Sequence, residues 1–108
     1  MLSGYRFLWV QVIFDLPVTE KADRKAATSF RNHLLDLGFD MMQFSVYIKW
    51  VTGKDTASTL IKRVITQLPP NGNVNILQIT DKQYSEIQTY FGRKIEKTSQ
   101  YPEQLMLF

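Results

Sequence analysis

Along the first third of the chain, the spacing of apolar positions changes period once. From Arg6 to Asp15, RFLWVQVIFD sorts into two alternating sets, Leu8, Val10, Val12 and Phe14 against Phe7, Trp9, Gln11 and Ile13, and both are mostly apolar. Period two with apolar side chains on either side predicts a central strand covered on both faces. Pro17 forbids the strand's continuation. Beyond it the period becomes helical: in TEKADRKAATSFRNHLLDLG, Ala26, Ala27, Phe30, Leu34 and Leu37 form one apolar stripe. Thr19 is the expected cap of this helix and Gly38 its left-handed stop.

Residues 39–51, FDMMQFSVYIKWV, return to alternation, with Phe44, Val46, Ile48 and Trp50 on one side and Ser45, Tyr47, Lys49 and Val51 on the other. The run exceeds a usual strand, so a break or a tight hairpin is expected within it. DTASTLIKRVITQL (55–68) predicts a second amphipathic helix, capped by Asp55, with Ala57, Leu60, Ile61, Val64 and Leu68 facing inward. After the turn PPNGN, VNILQIT (74–80) is another strand, with Val74 and Ile76 on one face and Leu77 and Ile79 on the other. Thr80 and Gln83 make a capping box for a short helix expected to run to Gly92.

The resulting order, strand, helix, paired strands, helix, strand, is the β-α-β-β-α-β split pattern of an α+β, ferredoxin-like domain, expected over residues 1–92. In that arrangement both helices lie on one face of the sheet. The other face would leave apolar residues such as Trp9, Ile13, Leu77 and Ile79 uncovered, which predicts a homodimer stacked sheet to sheet. Residues 93–108 form a tail ending in Leu105, Met106, Leu107 and Phe108. This segment is too apolar to stand in water, and a short edge strand over 103–108 that adds to the partner subunit is expected.

Composition narrows the class. At 108 residues a single domain is expected, and 44% hydrophobic with 21% charged residues is ordinary for a globular chain. No window approaches the roughly 18 apolar residues of a membrane span, and the apolar run after Arg6 lacks a cleavage site. A soluble, cytoplasmic protein that does not engage a membrane is therefore expected. The absence of cysteine excludes disulfides, thiolate zinc sites and thiol catalysis.

The net charge of +3 is a mild basic bias, so the placement of the charges matters more than their sum. Lys21, Arg24, Lys25 and Arg31 are expected on the outer face of the first helix, and Lys62 and Arg63 on that of the second. Arg93, Lys94 and Lys97 follow the third helix. Each set reads equally well as a solvated face or as a row of phosphate contacts, which a dimer would double along a duplex.

Asp15 is the candidate for chemistry. It stands at the carboxyl end of a rigid strand, where α/β sheets place ligands, although a turn cap or an ion pair is the ordinary explanation for such a residue. Mg²⁺ takes about six oxygens, often with one or two carboxylates among them, so one Asp is thin. A two-fold axis that pairs Asp15 with its symmetry mate would supply two. Asp23, Asp36, Asp40, Asp55 and Asp81 each have a structural reading at a helix or its end. No His-Glu-x-x-His, Walker or glycine-rich phosphate motif occurs. His33, the only histidine, borders the apolar stripe and reads as a boundary residue rather than a base.

Taken in order, VIFDLP, RKAATSFRNHLLDLGF, QFSVYIK, NVNILQIT and DKQ resemble CRISPR-associated protein 2, in the version found in type II systems. The resemblance covers about residues 6–92. It implies a ferredoxin-like homodimer acting in spacer acquisition, bridging dimers of the integrase, CRISPR-associated protein 1, with a protospacer DNA duplex lying along it. It also implies a rival role as a Mg²⁺-dependent endonuclease of RNA or DNA, with Asp15 at the catalytic and metal position. The residues after Asp15, LPVTEKAD, lack the closely spaced arginines that some relatives use on DNA. A small-molecule-sensing module of the same fold is a third reading, resting on fold alone.

Overall fold

Strand β1 (Leu8–Asp15) alternates buried and half-exposed residues along its length until Asp15, which is exposed. The buried set, Leu8, Val10, Val12 and Phe14, is the one that alternation placed on a single face. A computed structural model, which describes residues 7–95, shows what lies over each side. Helices α1 (Lys21–Asp36) and α2 (Lys54–Ile65) cover the Val10 and Val12 face. Phe30 and Leu34 from α1 and Ala57, Leu60 and Val64 from α2 join β1, Phe39, Tyr47 and Val51 in one core cluster.

β2 (Asp40–Gln43), β3 (Val46–Val51) and β4 (Asn73–Thr80) complete an antiparallel four-stranded sheet in the order β2-β3-β1-β4. This is the ferredoxin-like α+β arrangement. The long run over residues 39–51 is a hairpin, with a register shift between Met41 and Gln43. On the face away from the helices, Trp9 pairs with Trp50 and Ile79, Gln11 with Ile48 and Leu77, and Ile13 with Val46 and Asn75.

Helix boundaries depart from the sequence expectation in four places. Thr19 does not cap α1: Glu20 holds the cap position without a side-chain hydrogen bond. The Arg24 guanidinium instead reaches back from the first turn, its Nη1 donating to the carbonyls of Val18 (3.1 Å) and Thr19 (2.8 Å). Asp55 does not cap α2 either. Gly53, at φ 137°, precedes the helix, and Asp55 sits inside its first turn, where a carboxylate still favours the N-terminal dipole. Leu68 lies past the end of α2 and is exposed, so it is not a core residue.

The third helix, α3 (Asp81–Ser85), has the expected Thr80–Gln83 capping box but stops well before Gly92. A small hairpin of β5 (Tyr90–Phe91) and β6 (Lys94–Ile95) follows, turning at Gly92 with φ 65°. The expected edge strand over 103–108 lies outside the described residues. Among the described residues, no helix is long and apolar enough to cross a membrane.

Candidate functional site

Asp15 ends β1 on the face opposite the helices, in line with Trp9, Gln11 and Ile13 by strand alternation. Its cross-strand neighbour is Asn73, the exposed first residue of β4. Gly72, at φ 96°, lets the preceding loop close against this corner: a Cβ there would stand 2.7 Å from the Asp15 carbonyl oxygen. The carboxylate is therefore presented by a rigid strand and a closely packed turn, beside an amide that can donate or accept. Asn73 reads from its sequence context only as a turn residue, and its place opposite Asp15 follows from strand register.

Among the described residues, no group of three His, Cys, Asp or Glu gathers in a way that would hold a metal. The oxygen donors one chain offers at this corner are the Asp15 carboxylate and the Asn73 side-chain carbonyl. Such a set fits Mg²⁺, which keeps several waters and uses few carboxylates, better than it fits a metal that needs a full protein cage. A second copy of Asp15 would complete a two-carboxylate set.

The basic residues divide into those the fold gathers and those it separates. Lys21, Arg24 and Lys25 line an open groove of about 710 Å³ along α1, together with Thr28, Ser29, Asn32 and Asp36. Lys62 and Arg63 are exposed on α2. A part-buried contact ties the two helices together: His33 Nε2 lies 2.8 Å from the Arg63 carbonyl oxygen. His33 is thus an interhelical strut inside the core layer, more buried than its boundary position in the stripe suggested. Arg93 is exposed at the β5–β6 turn, and Lys94 is in β6.

Arg31 does not join the outer face of α1. It follows Ala27 by four residues and precedes Leu34 by three, which puts it at the edge of the buried stripe. Its Cζ lies 4.2 Å from the centre of the Phe44 ring and 5.9 Å from that of Phe14.

The helix-free face is partly covered by the chain itself. Trp9 stacks on Tyr84 of α3 with ring centres 3.8 Å apart, and Trp9 Nε1 donates to Asp81 Oδ1 at 2.9 Å. The Trp9 side of this face is therefore not bare. Ile13 and Ile79 are half-buried, and Leu77 remains 40% exposed. Leu105 to Phe108, the other expected interface residues, lie outside the described residues.

Burial, with the charges of Asp40 and Asp81, raises the Tyr84 phenol above its ordinary value of 10.0. The folded chain then holds this proton to higher pH than the unfolded chain does. The contribution of Tyr84 to stability is fully present below pH 10.0 and is lost as pH rises through the folded value. Wild type is expected to lose more stability than Tyr84→Phe between pH 9 and 11, read as the difference between their thermal midpoints.

The family model for CRISPR associated protein Cas2 matches residues 8–87. The CRISPR-associated endoribonuclease Cas2 of Paracidovorax avenae is 50% identical over 108 residues, covering 100% of both chains. Its namesake in Flavobacterium psychrophilum is 42% identical over 107 residues, covering 99% of this chain and 93% of the relative. That of Parvibaculum lavamentivorans is 43% identical over 101 residues, covering 94% and 100%.

Proposed function

The chain belongs to the CRISPR-associated protein Cas2 family, and from that membership we propose that it serves spacer acquisition as a homodimeric scaffold, binding protospacer duplex DNA and bridging dimers of the integrase, CRISPR-associated protein 1. The observation that carries this reading is the segregation of the two faces of the sheet. One face is roofed by helices whose outer sides present Lys21, Arg24, Lys25, Lys62 and Arg63. The other leaves apolar side chains such as Leu77 for a second copy. Pairing through the second face doubles the cations and directs them outward, where they meet phosphates without reading bases.

The purified chain mixed with its integrase is expected to form a complex that integrates prespacers better than integrase alone. Its affinity for a short duplex is expected to fall steeply as salt rises. Absence of both the complex and the gain in integration would remove the scaffold role.

A second reading, hydrolysis of a phosphodiester, is favoured by the exposed Asp15 on the open face and by the endoribonuclease name of the relatives. In a sheet-to-sheet dimer, Asp15 and its symmetry mate would be the residues that hold Mg²⁺. When bound, the ion would supply Lewis-acid activation of water and of a phosphoryl oxygen. The chain's own contribution is to fix the carboxylate through β1 and the Gly72 turn, with Asn73 placed to orient a phosphate or a water.

Asp15→Asn preserves size and removes the charge. Since changes at residues that only support metal ligands cost about 10- to 100-fold, this variant is expected to lose at least about 100-fold of metal-dependent cleavage. Duplex affinity and thermal midpoint should stay close to wild type. Equal cleavage by the two proteins across a Mg²⁺ titration would exclude this role.

A further inference from the structure

Two stretches far apart in sequence, Phe-Arg at 30–31 and Gln-Phe-Ser at 43–45, meet in space. Phe44 is 67% exposed at the tip of the β2–β3 hairpin, and the Arg31 guanidinium carbon lies 4.2 Å from its ring centre. Arg31 is half-buried, with the Phe14 ring centre 5.9 Å from its Cζ, and its Nε is buried without an acceptor among the described residues. A guanidinium carries five N–H donors in a planar fork suited to phosphate, and ring faces attract its charge without taking up those hydrogen bonds. The stack is thus an ordered cation with hydrogen-bonding capacity to spare, topped by an aromatic ring that is largely open.

Its position ties it to Asp15. The antiparallel register of β1 and β3 pairs Ile13 with Val46, and the Phe14 N–H donates to the Ser45 carbonyl at 3.0 Å. The β2–β3 turn that carries Phe44 therefore lies at the Asp15 end of β1, with the Phe44 ring on the side of the sheet that Arg31 of α1 reaches and the Asp15 side chain on the other. A nucleobase stacked on Phe44 would leave its own phosphate within the sphere of Arg31.

We propose that Phe44 and Arg31 form a subsite for an unpaired nucleotide of single-stranded nucleic acid, Phe44 stacking the base and Arg31 holding the phosphate. This rests on the reading of the chain as a nucleic-acid-binding protein and names the form of ligand it takes at the Asp15 end. Bases stacked in a duplex cannot offer a free face to Phe44, whereas any unpaired base can. The duplex is left to Lys21, Arg24 and Lys25 along α1.

The test measures binding in EDTA of the full chain to a single-stranded oligoribonucleotide carrying 2-aminopurine and, separately, to a blunt DNA duplex. Phe44→Leu is expected to weaken single-strand binding roughly 5- to 100-fold, the range for loss of one base stack. Phe44→Trp should retain it, and duplex affinity should stay within about twofold for both variants. Arg31→Met, which keeps the packing and removes the cation, should lower the slope of log affinity against log salt for the single strand by about one phosphate's share.

Single-strand affinity unchanged in both Phe44→Leu and Arg31→Met overturns the subsite. So does a loss in Phe44→Leu that sedimentation traces to dissociation of a dimer. Wild type that binds duplex but no single strand overturns the subsite and leaves the scaffold role standing. Wild type that binds neither removes both.

Discussion

Phe30→Ala is expected to destabilise the domain by about 4 kcal/mol, within the range for truncating a fully buried phenyl ring. Phe30 is 1% exposed, and its ring meets that of Phe14 edge-on at 5.4 Å and 84°. Phe14 leans in turn on Tyr47 at 5.7 Å, so the lost ring would leave a cavity at the α1 end of an aromatic chain running from that helix into the sheet. β1 and its neighbours are fixed by ladder hydrogen bonds and cannot collapse far into that space. A domain of this size is typically stable by only about 5–15 kcal/mol, so a large share of its stability would go.

Urea unfolding should show a much lower midpoint at unchanged slope. Leu35→Ala, one helical position on from Leu34 but 50% exposed, should cost less than about 1 kcal/mol. A loss below about 1.5 kcal/mol for Phe30→Ala would mean that the core closes over the gap. The effect reaches the candidate site because Phe14 precedes Asp15 and Phe30 precedes Arg31. One core contact therefore positions both the carboxylate and the cation.

The four-stranded sheet and its two long helices are legible because each of these elements carries a strong local period. Leu8, Val10, Val12 and Phe14 alternate without exception, and the run around Phe44 is too long for one strand, although its length does not decide between a break and the hairpin that forms. The Thr80–Gln83 capping box was readable because both of its partners lie within three residues. Caps at the other helices were not. Thr19 and Glu20, or Gly53 and Asp55, compete within two residues, and backbone angles decide between them.

The end of α3 departs from expectation because Gly92 is a plausible helix stop and an equally good hairpin turn. Arg31 leaves the expected outer face because a residue at the edge of a stripe can turn either way, and here its guanidinium stacks on Phe44. Contacts between distant positions left no local trace. Trp9 with Asp81, His33 with the Arg63 carbonyl and Asp15 opposite Asn73 all depend on register and docking, which no window of sequence contains.

Ile13→Lys combined with Leu77→Lys is expected to convert the proposed dimer into folded monomers, weakening association by at least about 1,000-fold. An antiparallel sheet with one wet face ordinarily alternates apolar and polar residues. Here the helix-free face carries Ile13, Val46, Ile48, Leu77 and Ile79 in paired rows, with Trp50 still 46% exposed. α3 reaches this face at Trp9 and leaves Leu77 largely uncovered. A two-fold axis through such a face brings each new lysine up against apolar surface and repeats it in the partner. The cost of burying an uncompensated charge, about 3–5 kcal/mol, corresponds to roughly 200- to 5,000-fold for a single site.

Neither position belongs to the core cluster formed with the helices, so far-ultraviolet circular dichroism should be unchanged. Sedimentation equilibrium should show half the wild-type mass at concentrations where wild type is paired. The monomer retains Lys21, Arg24 and Lys25 but not a second set, so duplex binding should weaken and its salt slope should fall toward half. Cleavage that requires two copies of Asp15 should vanish with the dimer even though every Asp15 is intact. A double variant that stays dimeric would place the subunit contact elsewhere, and Asp15 would then have to act alone.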